Sequence, residues 1–184
     1  MKKRITNILI FILVLWSLKV IDTLFALNLT QFGIVPRTIH GLLGIAFAPL
    51  LHANYYHLIS NTVPIFVLLF LLFTFYKKHA IMVILESVII GGILVWIFAR
   101  SASHIGISGL IYSLAAFLIM AGLLKKDFKS LLLSVLILFL YGGLVWGVFP
   151  GKFWISWEGH LFGALAGVFI AFVYFKKDKA EEIS

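Results

Sequence analysis

The chain has 184 residues, of which 62% are hydrophobic and only 12% are charged. This composition excludes a soluble globular protein, since soluble domains carry about 25% charged residues, and the lack of cysteine excludes disulfides, thiolate metal ligands and a cysteine nucleophile. The formal charge of +8 does not indicate a nucleic-acid partner, because the lysines form short clusters between apolar runs, as membrane topology requires.

Six apolar runs are long enough to cross a bilayer as helices of about 20 residues. We predict one transmembrane domain over residues 1–184, an all-α membrane protein built as a compact bundle of six transmembrane helices. The first run follows a basic N-terminus, but it is too long for a signal-peptide core and no small-residue cleavage site follows it, so we interpret it as an uncleaved span. The predicted spans are about 5–27, 55–76, 80–98, 106–124, 130–149 and 158–175.

The basic residues predict the orientation of these spans. Most of the 15 Lys and Arg residues lie in one alternating set of connections, whereas the opposite set has only Arg37, Arg100 and Lys152. Because cytoplasmic loops are enriched in Lys and Arg, we expect a multi-pass protein of the cell membrane with both termini in the cytoplasm. The basic set comprises Lys2, Lys3, Arg4, Lys77, Lys78, Lys125, Lys126, Lys129, Lys176, Lys177 and Lys179.

The connection of residues 28–54 is the longest one, and glycine and proline interrupt it too often for a span. It is also too apolar for a solvated linker, with Leu42, Leu43, Ile45 and Phe47 among its residues. We therefore expect an interfacial structure on the external side that dips partly into the membrane.

Spans two, four and six begin on the external side and bring polar side chains to the same depth of the outer leaflet. Polar groups at membrane depth are costly, so this convergence indicates a functional site. The residues are His52, His57 and Asn61 at span two, Gly106, Ser108, Gly109 and Tyr112 at span four, and Glu158, Gly159 and His160 at span six.

Ser108 stands between Gly106 and Gly109 at the start of span four. A serine in a membrane helix most often only bonds a backbone carbonyl one turn back. Here the glycines admit the close approach of a substrate, and the helix start leaves peptide N–H groups free to face an anion. This setting favours Ser108 as a nucleophile.

His160 is the candidate base, because an imidazole with a pKa near neutrality can take a serine proton. In isolation a histidine here would equally suit the membrane interface. Gly159, Gly163 and Gly167 recur every four residues, and such a stripe lets a neighbouring helix pack closely enough to place His160 beside Ser108. The small residues of span four that would face this stripe are Gly109, Ser113 and Ala116.

His57 and Asn61 are spaced i, i+4 and share one face of span two. Two chemistries are open for them. Together with His52 and His160, His57 would offer zinc ligands, but no His-Glu-x-x-His motif or suitably placed acid accompanies them. As hydrogen-bond donors, His57 and Asn61 suit an oxyanion hole for a tetrahedral intermediate, and we favour this over a metal site.

Taken together, these motifs resemble those of the rhomboid intramembrane serine proteases in order, spacing and span assignment. Many members of that family carry a Trp-Arg pair in the loop before span two, whereas this loop has no tryptophan and only Arg37, after Pro36. The matching motifs are His52-x4-His57-x3-Asn61, Gly106-x-Ser108-Gly109 with Tyr112, His160-x2-Gly163-x3-Gly167 and the glycine-rich loop before span two.

The resemblance implies a rhomboid-like fold and an enzyme that hydrolyses transmembrane protein substrates in the lipid bilayer, near their external end, without a cofactor or metal. Ser108 would be the nucleophile, and His160 the general base and acid, with Tyr112 stacked on its ring. His57, Asn61 and the Ser108 backbone N–H would form the oxyanion hole.

No acid is placed to complete a catalytic triad. Most of the seven Asp and Glu residues are expected on the cytoplasmic side, and Glu158 is only two residues from His160, a poor geometry for a hydrogen bond along a helix. We therefore predict a Ser108–His160 dyad in which the ring of Tyr112 orients the base.

Hydrolysis also needs water and a path for the substrate. We expect His57, Asn61, Ser108 and His160 to line a polar cavity that is open to the external side, with the substrate entering sideways from lipid. Two interpretations stay open for a group of bulky residues near the end of span five, a lateral gate or an aromatic interfacial belt. These residues are Trp146, Phe149, Phe153 and Trp154.

Other polar residues have an expected place but no role in the site. We expect Asp22 to pair with Lys19 near a helix end, and Glu86 to be a buried neutral carboxyl or an inter-helix hydrogen-bond partner. His104 is expected in the external turn beside the site.

Two other functions remain as alternatives. A catalytically inactive relative would bind membrane clients, although Ser108 and His160 are both present here. A small transporter would place ionisable groups near mid-bilayer, where Glu86 is the only candidate.

Overall fold

The computed structural model describes residues 2–151 and 155–175 of the chain. These residues form a helical fold with six spans that are long and apolar enough to cross a membrane, which confirms the predicted fold class. The helices are α1 (Lys2–Phe25), α2 (Ile39–Phe47), α3 (Tyr55–Phe75), α4 (Ala80–Phe98), α5 (Ser108–Lys125), α6 (Phe128–Tyr141) and α7 (Trp157–Phe175), with 3-10 helices at Leu29–Phe32, Ala48–Leu50 and Gly142–Val148.

The fifth span differs most from its predicted form. A continuous helix is predicted over 130–149, whereas α6 is α-helical only to Tyr141 and continues as the 3-10 helix Gly142–Val148. Gly142 and Gly143 stand at this change, and glycine has low helix propensity because it loses the most backbone entropy on folding. The 3-10 helix packs against α7 and thereby reaches the candidate site.

Helix α5 lies at the centre of the bundle. In its most apolar window 61% of the residues are buried inside the protein, against 17% for α1 and for the α6 span. Leu114, Phe117 and Leu118 of α5 are fully buried. The peripheral helices instead present residues such as Phe139 outward, where lipid tails are as apolar as the side chains that face them.

Helices α5 and α7 approach each other along the glycine stripe expected from the sequence. A Cβ atom on Gly163 would overlap the Gly109 carbonyl, and one on Gly167 would overlap the Ser113 carbonyl. Helix α4 joins the same contact less tightly, since a Cβ on Gly91 would lie 3.6 Å from the Gly163 Cα, an ordinary van der Waals distance. The absence of side chains thus allows the backbones of α5 and α7 to meet.

The connection of residues 28–54 is partly helical and is anchored to α4. Arg37, with a φ of 59°, donates hydrogen bonds from its guanidinium to the carbonyls of Ile97 (3.1 Å) and Ala99 (2.8 Å). The indole of Trp96 in α4 donates to the Thr38 carbonyl at 2.8 Å. An arginine of the loop and a tryptophan of α4 therefore anchor a loop that contains no tryptophan itself.

This connection also fixes the residues that precede α5. Ile34 pairs with His104 in an antiparallel bridge, and the Gly106 N–H donates to the Ala48 carbonyl at 2.9 Å. Helix α2, in the same connection, leaves Ile39 87% exposed, as an interfacial helix requires. The chain therefore enters α5 along a path that the connection determines.

Candidate active site

The first turns of α3, α5 and α7 meet at one end of the bundle. The Asn54 side chain caps α3 by accepting a hydrogen bond from the His57 backbone N–H at 2.8 Å. Ser108 is the first residue of α5, and His160 lies in the first turn of α7. Side chains predicted from three separate spans are thus brought to the same place.

The Ser108 hydroxyl and the His160 ring are within hydrogen-bond distance, with Oγ 3.0 Å from Nε2. The other ring nitrogen, Nδ1, is 2.9 Å from the Gly147 carbonyl oxygen. A carbonyl only accepts, so Nδ1 carries the proton and Nε2 presents its lone pair to the serine hydroxyl. The serine hydroxyl therefore donates to His160, which is the arrangement that a general base requires.

The ring of Tyr112 lies flat against the ring of His160. Their centroids are 4.2 Å apart and the planes are inclined by 4°. Tyr112 follows Ser108 by about one helical turn, so α5 supplies both the serine and the surface on which the imidazole rests. This contact restricts the imidazole to one plane.

Gly147 is a site residue that the sequence patterns do not indicate. Its contribution is a main-chain carbonyl, which every residue has, so side-chain chemistry carries no signal for it. The one available sign is the glycine itself, because a Cβ there would overlap the Tyr112 hydroxyl and lie 3.2 Å from Nδ1 of His160. The sequence predicts that Tyr112 orients the base, and the structure adds the Gly147 carbonyl as a second contact that orients it.

His57 packs against the backbone that leads into α5. Gly106 has a φ of +110°, which L side chains rarely adopt, and a Cβ there would lie 2.5 Å from Cε1 of His57. Both the conformation and the space at this position therefore require glycine. The ring of His57 is held directly beside the residues that precede Ser108.

Asn61 follows His57 by one turn and is 8% exposed. Its side-chain Nδ2 donates no hydrogen bond to the part of the chain that the structure describes. A buried amide donor without a partner costs roughly 1–3 kcal/mol, so such a group in a native protein needs an explanation. A donor reserved for a ligand provides one.

His52 is a buried neighbour of His57. Its ring is 2% exposed and meets the His57 ring edge-on, with centroids 5.1 Å apart. Burial, and to a smaller extent the nearby His57, lower the pKa of His52 to about 4, against the opposing effect of the Leu50 backbone. His52 is therefore neutral near pH 7 and supports His57 by packing.

A second polar cluster joins the turn before α5 to the turn before α7. His104 is 4% exposed, with Nδ1 2.7 Å from the Ser156 hydroxyl and Nε2 3.0 Å from the Arg100 carbonyl. Since the carbonyl only accepts, Nε2 carries the proton and the serine hydroxyl donates to Nδ1. Burial lowers the pKa of His104. This side chain, to which the sequence assigned no role, links the segments that precede Ser108 and His160.

Glu158 forms an ion pair away from the imidazole. Its Oε1 is 3.4 Å from Nε of Arg100, and both nitrogens of His160 are engaged by Ser108 and Gly147. No carboxylate therefore completes a triad among the described residues. In the same part of the chain, no three His, Asp or Glu side chains are grouped as ligands of a metal ion.

A cavity of about 60 Å³ lies beside Ser108 on the side of α4. Glycine and apolar residues form most of its lining, with Ser87 as one of the few polar groups. His57, Asn61 and His160 do not line it, so it is not the polar cavity expected from the sequence. A water molecule needs roughly 10–15 Å³ of such space, so the cavity has room for a few waters.

Two carboxyl groups outside the site, those of Asp22 and Glu86, have partners within the protein. Lys19 Nζ is 2.9 Å from Oδ2 of Asp22, the ion pair expected near this helix end. The Tyr174 hydroxyl in α7 donates to Oε1 of Glu86 in α4 at 3.1 Å. Glu86 is thus an inter-helix hydrogen-bond partner. Glu86 is the candidate ionisable group for the transporter alternative, and this contact gives it a structural role instead.

The aromatic residues after α6 lie only partly within the described chain. Trp146 is 78% exposed and Phe149 is 55% exposed, and their rings are 6.4 Å apart. Phe153 and Trp154 lie outside the described residues. Exposed rings of this kind suit both a lateral gate and an interfacial belt, so both interpretations stay open.

A family model described as the rhomboid domain matches residues 40–177. The chain is 38% identical over 177 residues to the uncharacterized protein Rv1337 of Mycobacterium tuberculosis (strain H37Rv), covering 91% of this chain and 74% of that protein. It is also 38% identical over 176 residues to the uncharacterized protein ML1171 of Mycobacterium leprae, covering 91% of this chain and 70% of that protein. The names of these relatives state no activity.

Proposed function

The chain belongs to the rhomboid family, and from this premise we propose that it is an intramembrane serine endopeptidase. The observation that carries the proposal is the 3.0 Å contact between Oγ of Ser108 and Nε2 of His160, in the tautomer that a general base requires. The substrates are membrane proteins, and the cleaved bonds lie in or near their transmembrane segments.

The proposed reaction proceeds through an acyl-enzyme. Ser108 Oγ attacks the scissile carbonyl carbon while His160 Nε2 takes the hydroxyl proton. The imidazolium then gives this proton to the leaving amine, and the C–N bond breaks, which leaves an ester on Ser108. Water then attacks the ester carbonyl carbon while His160 Nε2 takes a proton from it. The bond from this carbon to Oγ breaks, and His160 returns the proton to Oγ, which frees the acid product and restores the serine hydroxyl. No cofactor or metal takes part.

Three donors are proposed to stabilise the oxyanion of the tetrahedral intermediates. Nδ2 of Asn61 is buried without a partner among the described residues. The Ser108 N–H is at the first position of α5, where a helix leaves backbone donors unpaired. The ring of His57 is the third donor. Donors held in place in a water-poor site stabilise developing charge more than donors in water.

We place the site on the external side of the cell membrane, with both termini in the cytoplasm. The support is the distribution of charge, since Ser108 begins α5 and Lys125 ends it, next to Lys126. Lys77 and Lys78 follow the end of α3, a helix whose first turn contributes to the site. Clusters of lysine at the end away from the site favour a cytoplasmic location for that end.

The first test compares cleavage of a transmembrane substrate by purified wild-type protein, Ser108→Ala and His160→Ala in liposomes. We expect each variant to lose at least about 10³-fold in rate, as serine hydrolases lose when the nucleophile or base is removed. His40→Ala, which changes an exposed histidine, is the matched control and should cleave at the wild-type rate.

Cleavage that persists in Ser108→Ala would contradict the proposal. Wild-type protein that cleaves no substrate, yet binds one, would favour the inactive relative. A chelator should leave the rate unchanged, and a loss of activity on chelation would support the metal alternative.

A further inference from the structure

We infer that the main-chain carbonyl of Gly147 is a positioning group for the base, and that the 3-10 helix Gly142–Val148 thereby couples its own position to the activity of His160. This inference rests on the proposed function, because it concerns the same site. It adds a group that is absent from the predicted Ser108–His160 dyad and assigns a task to an element at the edge of the bundle.

The Gly147 carbonyl determines which nitrogen of the His160 imidazole carries the proton. A neutral imidazole has one N–H and one lone pair, and either nitrogen can hold the proton. The Gly147 oxygen, 2.9 Å from Nδ1, stabilises the form in which Nε2 is free to accept the proton of Ser108. With the proton on Nε2 instead, the ring cannot act as a base toward the serine. Stacking on Tyr112 sets the plane of the ring but does not select between the two forms.

This acceptor lies in an exposed element. None of the residues in Gly142–Val148 is buried, and Val145 and Trp146 are 52% and 78% exposed. Ser108 and Tyr112, in contrast, lie on α5, the most buried span of the described chain. An outward displacement of the 3-10 helix would therefore remove the acceptor of Nδ1 while the nucleophile and the stacking ring stay in place.

A close fit at Gly147 holds its carbonyl in position. A Cβ on Gly147 would overlap the Tyr112 hydroxyl, so only glycine lets the 3-10 helix approach this closely. A Cβ on Gly143, in the same helix, would have no described atom within 4 Å, which makes this glycine a matched site for comparison. A methyl group at 147 should hold the segment away from His160, whereas one at 143 should not.

The decisive experiment makes the Gly147 carbonyl a weaker hydrogen-bond acceptor without changing a side chain. An α-hydroxy acid at position 148 converts the peptide bond after Gly147 into an ester, whose carbonyl is a poorer acceptor. The same exchange at Val145 is the matched control, since it also replaces one backbone N–H of the 3-10 helix. We expect the ester at 148 to lower kcat about tenfold at unchanged KM, and the ester at 145 to leave both near wild type.

Two further measurements separate positioning of the base from substrate entry. A small fluorophosphonate that reacts with Ser108 should label the ester variant at 148 more slowly, because labelling needs an active base but no lateral path for a large substrate. The ¹⁵N shifts of the His160 ring should show the proton on Nδ1 in the wild type and a mixture of both forms in the variant.

Side-chain substitutions test the fit at Gly147 independently. Gly147→Ala should lower both cleavage and labelling, and Gly143→Ala should lower neither. Tyr112→Phe, measured alone and in combination, removes the hydroxyl that the new methyl group would meet. Gly147→Ala should therefore lower the activity less in a Tyr112→Phe protein than in the wild type.

The outcomes distinguish this inference from the proposed function. Where the wild type cleaves and Ser108→Ala does not, an ester at 148 with wild-type kcat, labelling and ring shifts overturns the inference alone. Slower cleavage with unchanged labelling also overturns it, since that result assigns the segment to substrate entry only. Cleavage by Ser108→Ala overturns the proposed function, and the inference falls with it. A wild-type ring protonated on Nε2 overturns the inference whatever the protein cleaves.

Discussion

Every polar atom of the His160 ring has a partner, and the groups that contact the ring come from two elements. Ser108 on α5 is 3.0 Å from Nε2, Gly147 of the 3-10 helix is 2.9 Å from Nδ1, and Tyr112 of α5 covers one face. In Asn61 the opposite holds, because its buried Nδ2 has no partner in the described part of the chain. The two residues suit different tasks, since a base must be oriented before the reaction and an oxyanion donor must be free until charge develops.

Asn61→Leu tests the second task. The substitution removes a donor that makes no hydrogen bond to the described residues and replaces it with a side chain of similar size, so we expect thermal stability in detergent to stay the same or rise. The rate should nevertheless fall, with kcat reduced about 10²–10³-fold, as on removal of one oxyanion donor, and KM little changed. A variant with wild-type kcat and a lower melting temperature would instead assign Asn61 a structural role.

Among the elements, α5 and α7 depend most on the absence of side chains. Gly163 and Gly167 face the carbonyls of Gly109 and Ser113 directly, so both backbones meet and the two first turns come into register. The connection of residues 28–54 is held differently, because hydrogen bonds from Arg37 and Trp96 to main-chain carbonyls attach it to α4. The former contact is steric and tolerates no added atom, while the latter depends on donors.

Gly163→Leu tests the steric contact. A side chain there would push α7 from α5, and we expect destabilisation of about 3 kcal/mol, the upper end of overpacking costs, and loss of cleavage, because overpacking against backbone cannot relax by rotamer changes. Gly91→Ala is the matched control on α4, since its Cβ would lie 3.6 Å from the nearest atom, and it should unfold at a temperature close to that of the wild type. A Gly163→Leu protein that is folded and fully active would show that this account of the packing is wrong.

For the whole molecule, two buried histidines outside the spans link stability to pH. Burial lowers the pKa of His52 to about 4 and also lowers that of His104, so the folded state binds fewer protons than the unfolded chain below pH 6.5. Neither group costs stability above pH 6.5, and the cost grows as the pH falls from the unfolded-state pKa to the lower folded-state pKa, where it is complete. For His52 the cost is on the order of 3 kcal/mol between pH 6.5 and 4.

Thermal unfolding in detergent across this range measures the effect. We expect the melting temperature of the wild type to fall between pH 6.5 and 4, and that of His52→Asn to fall less steeply. His40→Asn, at an exposed position, should follow the wild type. A His52→Asn profile as steep as that of the wild type would assign the pH dependence to other groups.

The sequence predicts much of this molecule, because some of its features follow from side-chain chemistry alone. Six long apolar runs require six helices, since a bilayer leaves backbone N–H and C=O groups no partner except each other. The helical spacing of His57 and Asn61 and the four-residue glycine stripe of α7 likewise follow from residue types. These patterns are enough to expect Ser108 beside His160.

The tertiary structure alone decided the contacts that main-chain atoms make. Three kinds of contact have no signature in residue type, because every residue carries the same carbonyl. They are the Gly147 carbonyl at His160, the carbonyls that accept hydrogen bonds from Arg37 and Trp96, and the Arg100 carbonyl at His104. The position of the cavity beside Ser108 is of the same kind, since it follows from how glycine and apolar surfaces of α2, α4, α5 and α7 fit together. Side-chain identity therefore determines which groups a membrane protein can use, and packing determines which backbone atoms they meet.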